Sequence, residues 1–264
     1  MTAAGGPATP RSLAGAFNFR DLGGLVTGNG RRIRHGRLFR SDTLQALTSA
    51  DTAYLTESLG VTTVLDLRAG AEAVEQGRGP LGGLPVCYLN VPLEDAPRTA
   101  DPARPPDRRD PAAGRPGGTV PGPTLAFYLR HLESPAPALP LALQLLAVSL
   151  VHPVVVHCAA GKDRTGLVIA LALDLAGVPA AAIAGDYMVT AQNMARINER
   201  FRGWPRYRAH MAAADPEFYR VEEHTIRAFL AALRRRHGGA RGWARSRGIP
   251  DEVIRPLTGR LIES

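Results

Sequence analysis

Pro153-Val154-Val155-Val156-His157-Cys158-Ala159-Ala160-Gly161-Lys162-Asp163-Arg164-Thr165-Gly166 is the stretch on which the reading of this chain turns. Its first half is a short run of valines with no polar interruption, the pattern of a strand buried on both faces. From Arg164 to about Ala176 the apolar spacing becomes helical. The junction places Cys158 and Arg164 with five residues between them, at the passage from a strand to a helix. A short loop seated on a helix N-terminus can point successive backbone N–H groups inward, and the helix adds partial positive charge. Gly161 permits a turn that a side chain would obstruct. Arg164 supplies a planar fork able to hold two oxygens of one anion. The segment reads as a cradle for a phosphate dianion, with a sulfur at its floor.

Working outward, Val61-Thr62-Thr63-Val64-Leu65-Asp66-Leu67-Arg68 reads as a second buried strand ending at Asp66, and residues 86–93 as a third. Helices are expected at about 124–133, 138–150, 180–200, 221–236 and 250–262. Strands alternating with helices imply an α/β fold with a central, largely parallel sheet flanked by helices. Ligands of such folds sit beyond the carboxyl ends of the strands, where Asp66 and Cys158 both fall. Residues 1–16, small and proline-dotted, are expected to be a disordered lead-in. A single domain over 17–264 then carries a mobile insertion at about 95–123, dense in Pro, Gly and Arg.

The composition narrows the partners. The formal charge is +8 and the pI about 10.3, which would suit an anionic surface. Yet Lys162 is the one lysine of the chain. With heavy Ala, Gly and Pro usage, the arginine excess reads as coding bias. There is no basic stripe interleaved with aromatics, so no nucleic-acid partner is expected. Met1 to Ala16 has no apolar stretch of the signal-peptide kind, and no run approaches the roughly 20 apolar residues that cross a bilayer. The expectation is a cytoplasmic protein without stable membrane insertion. Two cysteines, Cys87 and Cys158, cannot make a disulfide framework, and no ligand spacing suggests a metal or cofactor.

The loop implies its own chemistry. Cations and a helix N-terminus favour the ionised form of a cysteine sulfur. Cys158 is then the nucleophile: in-line attack on phosphorus gives a phosphocysteine, expels the alcohol, and leaves an intermediate that water hydrolyses. Thr165 can hydrogen-bond the departing sulfur, and His157 orients the loop from behind. Ala159, Ala160, Gly161, Lys162 and Gly166 complete the cradle. The plainer alternative is a core cysteine at a strand end with a solvated arginine; it explains neither the spacing nor the residues between.

His157 to Gly166 resembles the phosphate loop of the protein tyrosine phosphatase superfamily, in particular its bacterial atypical tyrosine and dual-specificity group. Similar blocks occur in Gly15 to Gly24 (GAFNFRDLGG), Gly36 to Asp42 (GRLFRSD), Leu59 to Val61 with Asp66 to Arg68, Asp186-Tyr187 and His237 to Gly239. The resemblance implies a protein tyrosine phosphatase-like fold with additional helices near the site. It makes Cys158 the nucleophile and Arg164 the phosphate clamp, and puts Lys162 and Asp163 at the loop positions that mark the group. Asp66 is expected to pair with the loop arginine, although a helix cap would explain it too. Asn18, Arg20 and Asp21 are open between turn chemistry and function, and Arg40 between function and a structural ion pair.

The leaving group needs a proton. No Trp-Pro-Asp is present, so Asp163 is the first candidate acid, Asp66 the second and Asp95 the third, with Glu94, Asp101, Asp107 and Asp110 nearby in sequence. The implied substrates are phosphorylated proteins and phosphoinositides. Lys162 resembles the lysine with which lipid phosphatases hold extra ring phosphates. A small phosphomonoester, such as a nucleoside or sugar phosphate, is the alternative. A non-catalytic phosphate-binding module would have little need of both Cys158 and Arg164, and a rhodanese-type sulfurtransferase would need neither Arg164 nor Thr165. For Cys87 the alternatives are a plain core cysteine and, as the lesser one, a disulfide with Cys158 that would protect the nucleophile.

Overall fold

A computed structural model describes residues 12–93, 122–214 and 216–263. Its centre is a five-stranded sheet of β1 (Arg20–Asp21), β2 (Leu38–Ser41), β3 (Thr63–Asp66), β4 (Cys87–Asn90) and β5 (Val154–His157), in the order β1-β2-β5-β3-β4. From β2 to β4 all neighbours are parallel, and β1 adds an antiparallel edge. The expected largely parallel α/β sheet is present. β2 was not foreseen, because Arg40 interrupts Leu38-Phe39-Arg40-Ser41. All four residues are nevertheless buried, since the guanidinium finds partners inside.

The helices are α1 (Ser49–Ala53), α2 (Gly70–Gln76), α3 (Pro123–Glu133), α4 (Ala138–Ser149), α5 (Asp163–Leu175), α6 (Ala180–Val189), α7 (Met194–Gly203), α8 (Pro205–Ala213), α9 (Glu223–His237), α10 (Ala240–Ser246) and α11 (Asp251–Leu261). Successive strand residues serve opposite faces of the sheet. Val154, Val156 and Leu65 join the larger core with Leu167 to Leu173 of α5, while Val155, Val64 and Phe39 join a smaller one with Leu44, Leu47 and Leu55. Helix α5 is apolar all round because it is buried all round.

Two expectations change. The helix expected over 180–200 is three pieces: α6, a 3-10 turn over Thr190–Asn193, and α7. The turn seats the buried Thr190 Oγ1 within reach of Asn18 Nδ2 at 3.2 Å and Arg20 Nη2 at 3.3 Å. It also swings Met194, Ile197 and Phe201 of α7 against Ala159 of the loop. The expected lead-in also ends earlier. Leu13 and Ala16 are buried in the smaller core, and the N–H groups of Ala14 and Gly15 donate to Asp51 at 3.0 and 2.9 Å. Residues 1–11 and 94–121, the latter holding residues 95–121 of the expected insertion, lie outside the described residues. Among the described residues, no helix is long and apolar enough to cross a membrane.

Candidate active site

The loop runs from Cys158, the residue after β5, to Lys162, and Asp163 starts α5. Every carbonyl along it accepts a hydrogen bond. Cys158 O accepts from His157 Nδ1 at 3.1 Å, and Ala159 O from Thr43 N at 3.0 Å. Ala160 O and Gly161 O each accept from Asn18 Nδ2 at 3.2 Å; Gly161 O also accepts from Arg40 Nη2 at 2.6 Å, and Lys162 O from Gly166 N at 2.7 Å. In a planar trans peptide the N–H points opposite the C=O. Five carbonyls held by surrounding donors therefore leave the N–H groups of Ala159 to Asp163 for the cradle. Gly161 has φ +64°, and a Cβ there would lie 2.2 Å from Ser41 O, so this position requires glycine for both conformation and contact.

The residues left open at the N-terminus divide by role. Arg40 Nη1 and Arg20 Nε meet the two oxygens of Asp186 at 2.5 and 2.7 Å, and Arg20 Nη1 holds Asn18 Oδ1 at 2.6 Å. Asn18, Arg20 and Arg40 thus brace the outside of the loop as positioning residues. Burial would raise the Asp186 carboxyl, but the two guanidiniums hold it below the usual range. Asp21 is turn chemistry: it accepts from Gly23 N and Gly36 N, at 2.9 Å each.

Arg164 does not pair with Asp66. Its Nη1 and Nη2 engage Glu72 of α2, the second contact at 3.2 Å. Burial opposes the Arg164 charge, but Cys158 and Glu72 outweigh it and raise its pKa. Asp66 instead accepts from Arg68 Nη2 at 2.8 Å and Tyr88 Oη at 2.9 Å, wholly buried. The β3–β5 register pairs it with His157, whose Nε2 lies 3.7 Å away. Burial would raise the Asp66 pKa, but His157 and Arg68 lower it to about 2. A carboxylate so held, outside the cavity, is unsuited to the general-acid role given to it as second candidate. Burial also lowers the His157 pKa; the ring lies behind the loop, with Nδ1 on Cys158 O, and does not line the cavity. The third candidate, Asp95, lies outside the described residues.

Four other expectations are refined. Gly166 is not part of the cradle surface: a Cβ there would meet Tyr128 Oη at 3.1 Å and the Tyr187 ring at 3.2 Å, and its N–H closes the helix onto Lys162 O. Thr165 Oγ1 is buried with no hydrogen-bond partner among the described residues. Lys162 is 1% exposed and its ammonium faces Phe218 O, Arg220 O and Asp163 Oδ2, so it is not free for a second phosphate. Cys87 starts β4 opposite Thr63, level with Val154. It therefore stands roughly 13 Å of strand below Cys158 and two strands away, well beyond the about 7 Å that a disulfide spans.

Comparison with known proteins decides the family. The model of the tyrosine phosphatase family matches residues 11–263. The chain belongs to the tyrosine phosphatase family. It is a phosphoric monoester hydrolase of that type, as the loop chemistry implied. It is 32% identical to the triple specificity protein phosphatase PtpB of Mycobacterium tuberculosis over 282 residues, covering 96% of this chain and 99% of that protein. It is 34% identical to a tyrosine-protein phosphatase of Nostoc commune over 148 residues, 51% of this chain and 47% of that protein. Among solved structures it matches P. aeruginosa TpbA in complex with phosphotyrosine, with a TM-score of 0.37 and 18% identity over 69% of this chain and 78% of that one.

The phosphatase holds Cys158 at the base of a cavity of about 440 Å³. Its walls are largely apolar: Leu93, Phe127, Met194, Phe201, Phe218 and Tyr219. The basic side chains of the lining face partners: Arg164 has Glu72, Arg206 has Glu75, Lys162 has its three acceptors, and His210 Nδ1 meets the Tyr219 hydroxyl. Tyr207 of α8 lies 3.0 Å from Glu72 Oε1. Glu72, Tyr207 and the aromatic walls were not found from sequence. Only the spacing of Met194, Ile197 and Phe201 on one helical face could have signalled them. Among the described residues, no group of three or more His, Cys, Asp or Glu is placed to hold a metal ion.

Proposed function

We propose that this phosphatase hydrolyses phosphomonoesters of aromatic alcohols, with phosphotyrosine in protein as the leading substrate class. The observation that carries the reading is a loop whose carbonyls are all hydrogen-bonded, those of Ala159, Ala160 and Gly161 to donors from Thr43, Asn18 and Arg40, beneath a cavity walled by aromatic rings. One phosphate fits the five inward N–H groups and the Arg164 fork. An aromatic leaving group fits the Phe127, Phe218 and Tyr219 walls. Because Lys162 is buried against three acceptors, it offers a second phosphate no ready site. This favours a singly phosphorylated substrate over a polyphosphorylated headgroup. The name of PtpB speaks of triple specificity, and any such breadth here would need a cation other than the buried Lys162.

In this mechanism Cys158 attacks phosphorus in line, Arg164 and the loop amides stabilise the equatorial oxygens, and the alcohol leaves. Asp163, which lines the cavity with its side chain 23% exposed, donates the proton and later accepts one from the attacking water. Thr165 Oγ1, buried and unpartnered, donates to the sulfur as it departs. Turnover of para-nitrophenyl phosphate in chelator, inhibited by vanadate, tests the assignment. Absence of vanadate inhibition would overturn it.

A further inference from the structure

We infer that Lys162 is a strut fixing the aromatic wall of Phe218 and Tyr219 over the phosphate loop, and so determines the preference for aryl substrates. The inference rests on the aryl-phosphate reading above and adds the residue that enforces it.

An ammonium has three N–H donors. Those of Lys162 face three acceptors: the carbonyls of Phe218 and Arg220, and Asp163 Oδ2 at 3.3 Å. The side chain is 1% exposed, and a buried charge is tolerated only when partnered in this way. The two carbonyls belong to the end of the 3-10 turn Pro216–Tyr219 and the residue after it. Among the described residues, that backbone also has a long contact from Asn198 Nδ2 to Tyr219 O at 3.4 Å and its own Arg220 N to Glu217 O bond at 3.0 Å. Among the described residues, the lysine thus ties the loop to the backbone of the wall by two charge-assisted hydrogen bonds.

The chemistry of the position supports a strut over a phosphate ligand. Acceptors converging on one point suit a compact ammonium, whereas a planar guanidinium suits flat, two-pronged groups. The chain uses arginine at every other basic position outside histidine, yet has lysine here. A phosphate drawing on Lys162 Nζ would have to displace backbone carbonyls that position Phe218 and Tyr219. The first phosphate needs no such help, because Arg164 and the amides already face it.

The test compares Lys162→Met with wild type on para-nitrophenyl phosphate, β-glycerophosphate and a phosphatidylinositol phosphate, together with the vanadate inhibition constant. A strut predicts that the aryl KM rises about tenfold more than that for β-glycerophosphate, the scale of a lost aromatic contact. Vanadate inhibition should weaken far less than aryl binding. Phe218→Ala, which leaves the loop untouched, should reproduce the split, and the double variant should be little worse than the worse single. Equal losses on aryl and alkyl esters with weakened vanadate binding would overturn the proposal, as would a loss confined to the phosphoinositide. An unchanged aryl preference in Phe218→Ala overturns it even if the Lys162 variant fails to fold. A wild-type enzyme with no aryl preference would refute the underlying reading instead.

Discussion

Arg164 at the start of α5 reaches Glu72 on α2, and Tyr207 from α8 lies on the same carboxylate at 3.0 Å. Three elements distant in sequence thereby fix one guanidinium. Glu72 also accepts from Ala69 N at 2.8 Å, so the carboxylate is itself held in place. Burial would raise its pKa, but Arg164 lowers it and keeps it ionised.

The first prediction follows from that brace. Glu72→Gln keeps the size of the side chain and removes the charge that orients Arg164. The value of kcat/KM for para-nitrophenyl phosphate should fall about ten- to a hundredfold through misplacement of the clamp. Steady-state kinetics on a variant of unchanged thermal stability decides it, and full activity would remove Glu72 from the account.

Asp66 makes the opposite prediction, a loss of stability more than of chemistry. Asp66→Asn would leave Arg68, 0% exposed, as a buried charge lacking its counterion, at a cost of about 3–5 kcal/mol. The sign with pH follows from the depressed carboxyl. Its contribution is complete above the unfolded value of about 4 and is lost as pH falls through about 2. That window is worth about 2–3 kcal/mol in wild type and should be missing from Asp66→Asn in urea unfolding between pH 4 and 2. If the variant instead unfolds like wild type but loses turnover, Asp66 acts in catalysis after all.

Asp163 as the proton donor should be visible through the leaving group. A nitrophenolate leaves without a proton and an alkoxide does not. Asp163→Asn should therefore lose about 10²–10⁴-fold on an alkyl phosphate and much less on para-nitrophenyl phosphate. A loss of equal size on both would make Asp163 a loop-shaping residue only.

The parts of this site that depend on neighbours in sequence were legible. Pro153 to Gly166 declares strand, cradle and helix because each is a local pattern, and the strand ends at Asp66 and His157 lie side by side as expected. What was not legible depends on burial and on distant partners. Arg40 hides β2 because a buried arginine reads as surface until Asp186 and Gly161 O are seen around it. Asp66 was assigned to Arg164 although Arg68, two residues on, was the nearer partner in sequence as in space. Lys162 stood out correctly as the one lysine, but its direction could not be read, since the carbonyls it meets are more than 50 residues away in sequence.

The central claim is that Cys158 is the nucleophile in a cradle whose binding power lies in backbone N–H groups and Arg164. The most direct measurement is Cys158→Ser, assayed for para-nitrophenyl phosphate turnover and, by calorimetry, for binding of a phosphotyrosine peptide. The account predicts turnover at background with peptide affinity within about tenfold of wild-type substrate affinity, because the oxygen is a poor nucleophile here while the cradle is intact. Turnover near the wild-type rate in that variant would contradict it.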